Sequence, residues 1–147
     1  MAAWAIPLAC ALLALAPDAD LLLLASHRTV THSLGGVVAA GLAAAAIARW
    51  RGWPVAASAA GTMLAVGSHL VLDWLGHDPS VPVGIMALWP FSDRYYVSGA
   101  DLFMEVSRRY WIPDEIVFHN AKAAAREMVL IGPFAVAAWY WKRLPRP

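Results

Sequence analysis

The chain has 147 residues, of which 61% are hydrophobic and 14% charged, with eight tryptophans and a net charge of +1. A soluble domain carries about a quarter of its residues charged, so this composition excludes a wholly water-clothed surface and requires lipid over much of the outside. The near balance of charge also excludes a nucleic-acid partner, because no basic stripe is large enough to neutralise many phosphates.

Residues 2–16 are uninterrupted apolar, and with Leu21 to Leu24 beyond Asp18 and Asp20 they form a first membrane helix over about 2–24, the length a crossing needs. A signal peptide is the competing reading, from the small-residue stretch Ala14-Leu15-Ala16. Against it, no Lys or Arg precedes the run and Pro17 would follow the cut. A second helix, over 30–48, is Ala- and Gly-rich and ends at Arg49-Trp50-Arg51-Gly52, whose charges and ring suit a membrane boundary. This start places His32 in its first turns. Pro54 opens a third helix over 54–75, dense in small residues (Ala60, Gly61, Ala65, Gly67, Ser68) that let membrane helices approach closely.

Between 76 and 126 Pro79, Pro82, Pro90 and Pro113 break helices, and Trp89, Tyr95, Tyr96, Tyr110 and Trp111 suit the headgroup level, so this stretch reads as an interfacial or extramembrane cap. Pro113-Asp114-Glu115 starts a helix that continues into a fourth span over 127–141, kinked at Pro133 and closed by Lys142, Arg143 and Arg146. The predicted fold is an all-α membrane protein, 1–147 as a single integral domain, with about four transmembrane helices in an antiparallel bundle and a cap between the third and fourth.

Chain direction in such a bundle has a chemical consequence. The first helix ends at Asp18 and Asp20, the second begins near His32, and the third ends at His69 and Asp73, so all three bring polar groups to one membrane face. His69 and Asp73 are four apart on one helical face, and His77 extends that face if the helix persists past Gly76. His27 and His32 add imidazoles from the neighbouring loop, and Asp18 and Asp20 add oxygens. Imidazole with carboxylate suits zinc first, and also manganese or ferrous iron, with one or two ions.

Taken singly, each of these residues is better explained as a cap, a turn former or a packing group: Asp18 as a turn residue after Pro17, Ser33 or Asp20 as an N-cap. Ionisable groups at membrane depth are costly, by about 2.5 kcal/mol or more each, and their joint convergence favours a functional site. Arg28 either pairs with an Asp or binds an anionic substrate group, which its planar fork suits. Glu115 and His119 are also a turn apart, yet beside Lys122 and Arg126 they read as a solvated face. Trp89-Pro90-Phe91 reads as an interfacial anchor or the lining of a lipid-tail groove, and Gly35-Gly36 as close-packing glycine without a phosphate loop.

In order along the chain, Pro17-Asp18-x-Asp20, His27-Arg28-x-x-Thr31-His32-Ser33, Ser68-His69-x-x-x-Asp73 and Leu88-Trp89-Pro90 resemble the YdjM-like family of membrane-bound, metal-dependent hydrolases. The resemblance covers about residues 17–92. It implies a multi-pass protein of the bacterial inner membrane with a hydrolase site built from these His and Asp residues, and no established substrate. Two departures stand out. Members commonly open with a further helix carrying a His, and this chain opens at the helix leading into Asp18. After Asp73 the sequence reads Gly76-His77-Asp78-Pro79 where Thr or Ser is expected before the Pro, so His77 stands in for that ligand. The His-x-x-x-Asp element is also similar to that of zinc-dependent phospholipase C and related single-strand nucleases, by analogy alone.

The expected function is therefore a metal-dependent hydrolase acting at headgroup depth on an ester or phosphate ester of a lipid or lipid-linked substrate. Asp18, Asp20, His27, His32, His69 and Asp73 are the candidate ligands. Arg28 is the candidate anion stabiliser and His77 the candidate proton donor. The small-residue helix faces leave room for a homo-oligomer. The rival expectation is a non-catalytic membrane protein whose polar cluster handles ions or protons, or ties the helices together. Arg49, Arg51, Lys142, Arg143 and Arg146 lie opposite the site, against Arg28, Arg94, Arg108, Arg109, Lys122 and Arg126 beside it. The denser opposite group, closer to helix ends, favours cytoplasmic termini with the site face outside.

Overall fold

A computed structural model describes residues 5–23, 27–77, 79, 81–107, 109 and 111–143. Residues 2–4, Leu24, Asp78, Arg108, Tyr110 and Arg146, which enter the readings above, lie outside these. The described residues are mostly helical: α1 (Ala5–Ala14), the single turn α2 (Asp20–Leu23), α3 (Leu34–Arg51), α4 (Val55–Leu75) and α5 (Asn120–Arg143), with a two-residue parallel pairing of β1 (Gly76–His77) and β2 (Phe103–Met104). Among them α3 and α4 are long and apolar enough to cross a membrane.

The first apolar segment is broken where a continuous helix over 2–24 is expected. Helix α1 stops at Ala14, and Ala16–Ala19 forms a tight 3-10 turn with Pro17 buried at its start. Proline has no N–H for the helical ladder and its ring crowds the preceding turn, so the chain is redirected just before Asp18.

Helices α3 and α4 form the antiparallel pair on which the rest is assembled. Gly52 ends α3 in the left-handed conformation (φ 70°), which glycine adopts without strain, and its N–H with that of Trp53 donates to carbonyls of the last α3 turn. The two helices approach at Gly41, where a Cβ would stand 2.5 Å from the Met63 side chain. Val37, Val66, Leu70 and Ile85 form a small buried core, with Ala40 and Ala87 packed on it. Leu42 and Leu64 point outward with 66% and 75% of their surface exposed, as suits helices clothed by lipid rather than water.

The segment after α4 folds back over the site end of this pair. The amides of Ser98 and Leu102 donate to the carbonyls of Trp74 and Leu75, which satisfies the end of α4. Residues 113–114 are helical, Glu115–His119 forms one wider π turn, and α5 follows without interruption to Arg143 with Pro133 inside it.

Candidate metal centre

The polar loop before α3 is held by a layered set of hydrogen bonds. Ser33 caps α3: its Oγ accepts from the Gly36 amide at 3.0 Å and donates to the Val30 carbonyl at 2.5 Å. The next two free amides of the helix start, those of Leu34 and Gly35, donate to the carbonyls of Ala87 and Trp89. Trp89 lies so close that a Cβ on Gly35 would meet its ring at 2.6 Å and its carbonyl oxygen at 2.8 Å. The glycine and the tryptophan named in the sequence are thus one packing device, and it locks the loop from His27 to Ser33 in register with α3.

Within this frame His32 and Ser33 are fully buried and Asp20 is 2% exposed. Asp20 lies behind the imidazoles. Its Oδ1 meets His27 Nδ1 at 2.7 Å, and its Oδ2 accepts from the Thr31 hydroxyl at 2.5 Å and lies 3.3 Å from His32 Nδ1. Both Nδ1 atoms face Asp20, and each ring turns its Nε2, the nitrogen it would offer a metal, away from that carboxylate. Expected among the ligands, Asp20 instead has both oxygens engaged behind them.

In front of the imidazoles, four donors converge. His32 Nε2 lies 3.3 Å from His69 Nε2, 3.3 Å from Asp18 Oδ1 and 3.4 Å from Asp73 Oδ2, and His69 Nε2 lies 3.4 Å from each of the same two carboxylate oxygens. A tetrahedral zinc with nitrogen and oxygen ligands at about 2.0–2.2 Å requires donor separations of about 3.3–3.6 Å. All five of these separations fit that requirement, and the donor set of two imidazoles and two carboxylates suits zinc chemistry. His27 Nε2 stands at the edge, 3.8 Å from Asp18 Oδ1, and with Asp18 and His32 makes a second group able to hold an ion.

The carboxylates of the centre are electrostatically suited to a cation. Hydrogen bonds from His32 and His69 hold the Asp18 carboxyl well below the usual carboxylate range. Burial pushes Asp20 the other way, but the bonds from Thr31 and His27 prevail and it too is lowered. Both carboxylates are charged at neutral pH.

A cavity of about 310 Å³ opens beside the centre, lined by Asp18, His27 and Asp73 on one side and by Phe103, Glu105 and Glu127 on the other. Arg28 lines it as well, from a left-handed backbone (φ 63°) that is uncommon outside glycine and asparagine. Among the expected site residues, His77 departs furthest. Helix α4 ends at Leu75, so His77 leaves the His69–Asp73 face for β1, where its half-exposed ring pairs with Asp101 at 3.3 Å on the cavity rim.

Glu115 and His119 are likewise separated. His119 Nε2 contacts the Glu105 carbonyl at 2.8 Å, and Glu115 accepts from Ser107 and pairs with Arg109. Glu105 and Glu127 are polar groups of this region given no site role from the sequence, and Thr31 entered there only as a motif residue. Glu127 carried a signal, as a carboxylate at the entry to an apolar run, whereas Glu105 lies in an aperiodic stretch.

No curated protein and no solved structure gave a match to the chain. The profile of the YdjM inner membrane protein family matches residues 2–144, which is nearly the whole length, and with its two apolar helices and clustered His and Asp residues the chain belongs to that family.

Proposed function

We propose that this protein is a metal-dependent hydrolase of the inner membrane that cleaves an ester or phosphate ester of a lipid or lipid-linked substrate. The observation that carries the reading is that His32 Nε2 and His69 Nε2 lie within 3.4 Å of each other and each within 3.4 Å of Asp18 Oδ1 and Asp73 Oδ2, separations suited to the ligands of one zinc. Zinc is the preferred ion, with manganese or ferrous iron as alternatives. The two groups able to hold an ion, Asp18 with His27 and His32, and His32 with His69 and Asp73, share His32, so one ion per chain is the expected content.

A divalent cation held by these residues supplies Lewis acidity and lowers the pKa of water near it. The chain's own groups do the rest. Asp20 keeps the Nδ1 protons of His27 and His32 in place, and so fixes which nitrogen each ring presents. The Arg28 guanidinium lines the cavity, where it neutralises an anionic group of the substrate or of the transition state. His77, oriented by Asp101 at the rim, gives a proton to the leaving group.

The architecture that goes with this activity is a multi-pass antiparallel bundle in which α1 and α5 join α3 and α4 in the membrane. Its termini lie in the cytoplasm and the centre at the outer face, and its small-residue helix faces serve homo-oligomer contacts.

The test is elemental mass spectrometry of detergent-purified protein beside His69→Ala and Asp73→Asn. About one zinc per wild-type chain, lost in both variants, with hydrolysis of phosphate-ester lipids lost in parallel, is the expected result. Wild type that takes up no metal, with Asp73→Asn lowering stability alone, would return the cluster to a helix-tying role.

A further inference from the structure

We infer that the apolar groove along α4, bounded by Leu34 and Val37 of α3, by Ile85 and Ala87, and by Ile131 and Phe134 of α5, seats the hydrocarbon chain of the amphiphile whose polar end enters the cavity beside the metal donors. This rests on the hydrolase reading for the polar end and adds to it the place of the chain. The groove, about 910 Å³, adjoins the cavity through two shared residues, Leu72 and Ile131, which stand at the threshold between them.

Both walls change from polar to apolar in the same direction. On α5, Glu127 lines the cavity, Ile131 the threshold and Phe134 the groove, at spacings of four and three that keep them on one helical face. On α4, Asp73 lines the cavity, Leu72 the threshold, and Val71 and Leu64 the groove. Apart from the Trp74 ring, the polar side chain in the groove lining is Ser68, and its hydroxyl is already donated to the Ala65 carbonyl at 2.7 Å. The groove therefore offers chiefly dispersion.

Its length also fits. From Leu72 to Leu64 the helix rises about 12 Å. That approaches the hydrocarbon depth of one leaflet, about 15 Å. Leu64 and Phe134 keep 75% and 76% of their surface, so no part of the described chain covers the groove. An apolar helix of a second copy would leave the polar mouth unfilled. An amphiphile with an anionic head matches both ends, with the head near Arg28 and the cation donors and the chain between Val71 and Phe134.

The experiment uses the full-length, zinc-loaded protein in phosphatidylcholine nanodiscs, titrated with methyl phosphate and with dodecyl phosphate. Wild type is compared with Val71→Trp, which fills the groove, Phe134→Ala, which removes a wall, and Leu42→Trp on the exposed face of α3 outside it. After correction for partition into lipid, dodecyl phosphate is expected to bind wild type and Leu42→Trp about tenfold more tightly than methyl phosphate. Val71→Trp should lose that preference and Phe134→Ala part of it, with zinc content and methyl phosphate binding unchanged.

A preference that persists in both groove variants overturns the inference. So does a wild-type oligomer, sized by mass photometry, that Val71→Trp dissociates, because the groove would then be a contact between copies. Zinc content separates the two levels: chain preference without bound zinc sinks the hydrolase reading and leaves the groove standing.

Discussion

Removing the charge of Asp20 while keeping its shape distinguishes a ligand from a group that orients ligands. With Asp20→Asn, His27 and His32 keep a partner of the same size but lose the anion that fixes their Nδ1 protons. Zinc affinity should fall about 10- to 100-fold, the usual effect of losing an outer partner, and competition with a chromogenic chelator measures it. His69→Ala removes a donor and should abolish stoichiometric binding in the same assay. Gly35→Ala tests the packing beneath the centre: the new methyl meets the Trp89 carbonyl as well as its ring, so the backbone must shift. Overpacking of this kind destabilises by about 1–3 kcal/mol, visible in detergent melts. At this scale the sequence was informative about which side chains meet and uninformative about their roles. The chain reversals between helices put Asp18, His32, His69 and Asp73 at one end, but no spacing rule tells an Asp that faces Nδ1 from one that faces Nε2.

At the scale of elements, the junctions carry the site. The start of α3 is satisfied by one side chain, Ser33, and by two carbonyls from the 87–89 segment, so its first turn belongs to the centre as much as to the helix. Ser33→Ala removes the cap and should lower stability by about 1 kcal/mol. Because His32 precedes it directly, the same variant should weaken zinc retention during dialysis; unchanged retention would show that the loop holds its shape without the cap. Helix existence was legible for α3 and α4 from their apolar length and from the Gly52-Trp53-Pro54 turn. The break at Pro17 was legible in principle, as a proline inside an apolar run, yet the length of that run outweighed it. The pairing of 76–77 with 103–104 was not, because two-residue strands leave no periodic trace. For the same reason the end of α4 at Leu75, on which the place of His77 depends, was not legible.

For the whole molecule, a small protein core and a large apolar exterior divide the task of stability. Among the described residues the buried apolar side chains are few and most belong to α3, α4 and Ile85, so a metal held at the centre would add links between segments that little else joins. Chelation should therefore lower the melting temperature of wild type in detergent by several degrees, and leave Asp73→Asn unmoved. Equal shifts in both would place the stabilising ion elsewhere. Zinc should also dissociate on acidification, since protons compete with the ion for the same donor atoms.

The four facing donors come from three stretches of chain: Asp18 from the first, His32 from the second, and His69 with Asp73 from the end of α4. A nascent chain inserting from its N-terminus has at most half of the set until residue 69 has been made and completes it only at residue 73, and one carboxylate with one imidazole is too few to retain zinc. On the proposed function, ion capture would mark a moment in biogenesis, the point at which the hairpin of α3 and α4 has closed, and a chain that stalls or inserts α4 backwards would stay empty.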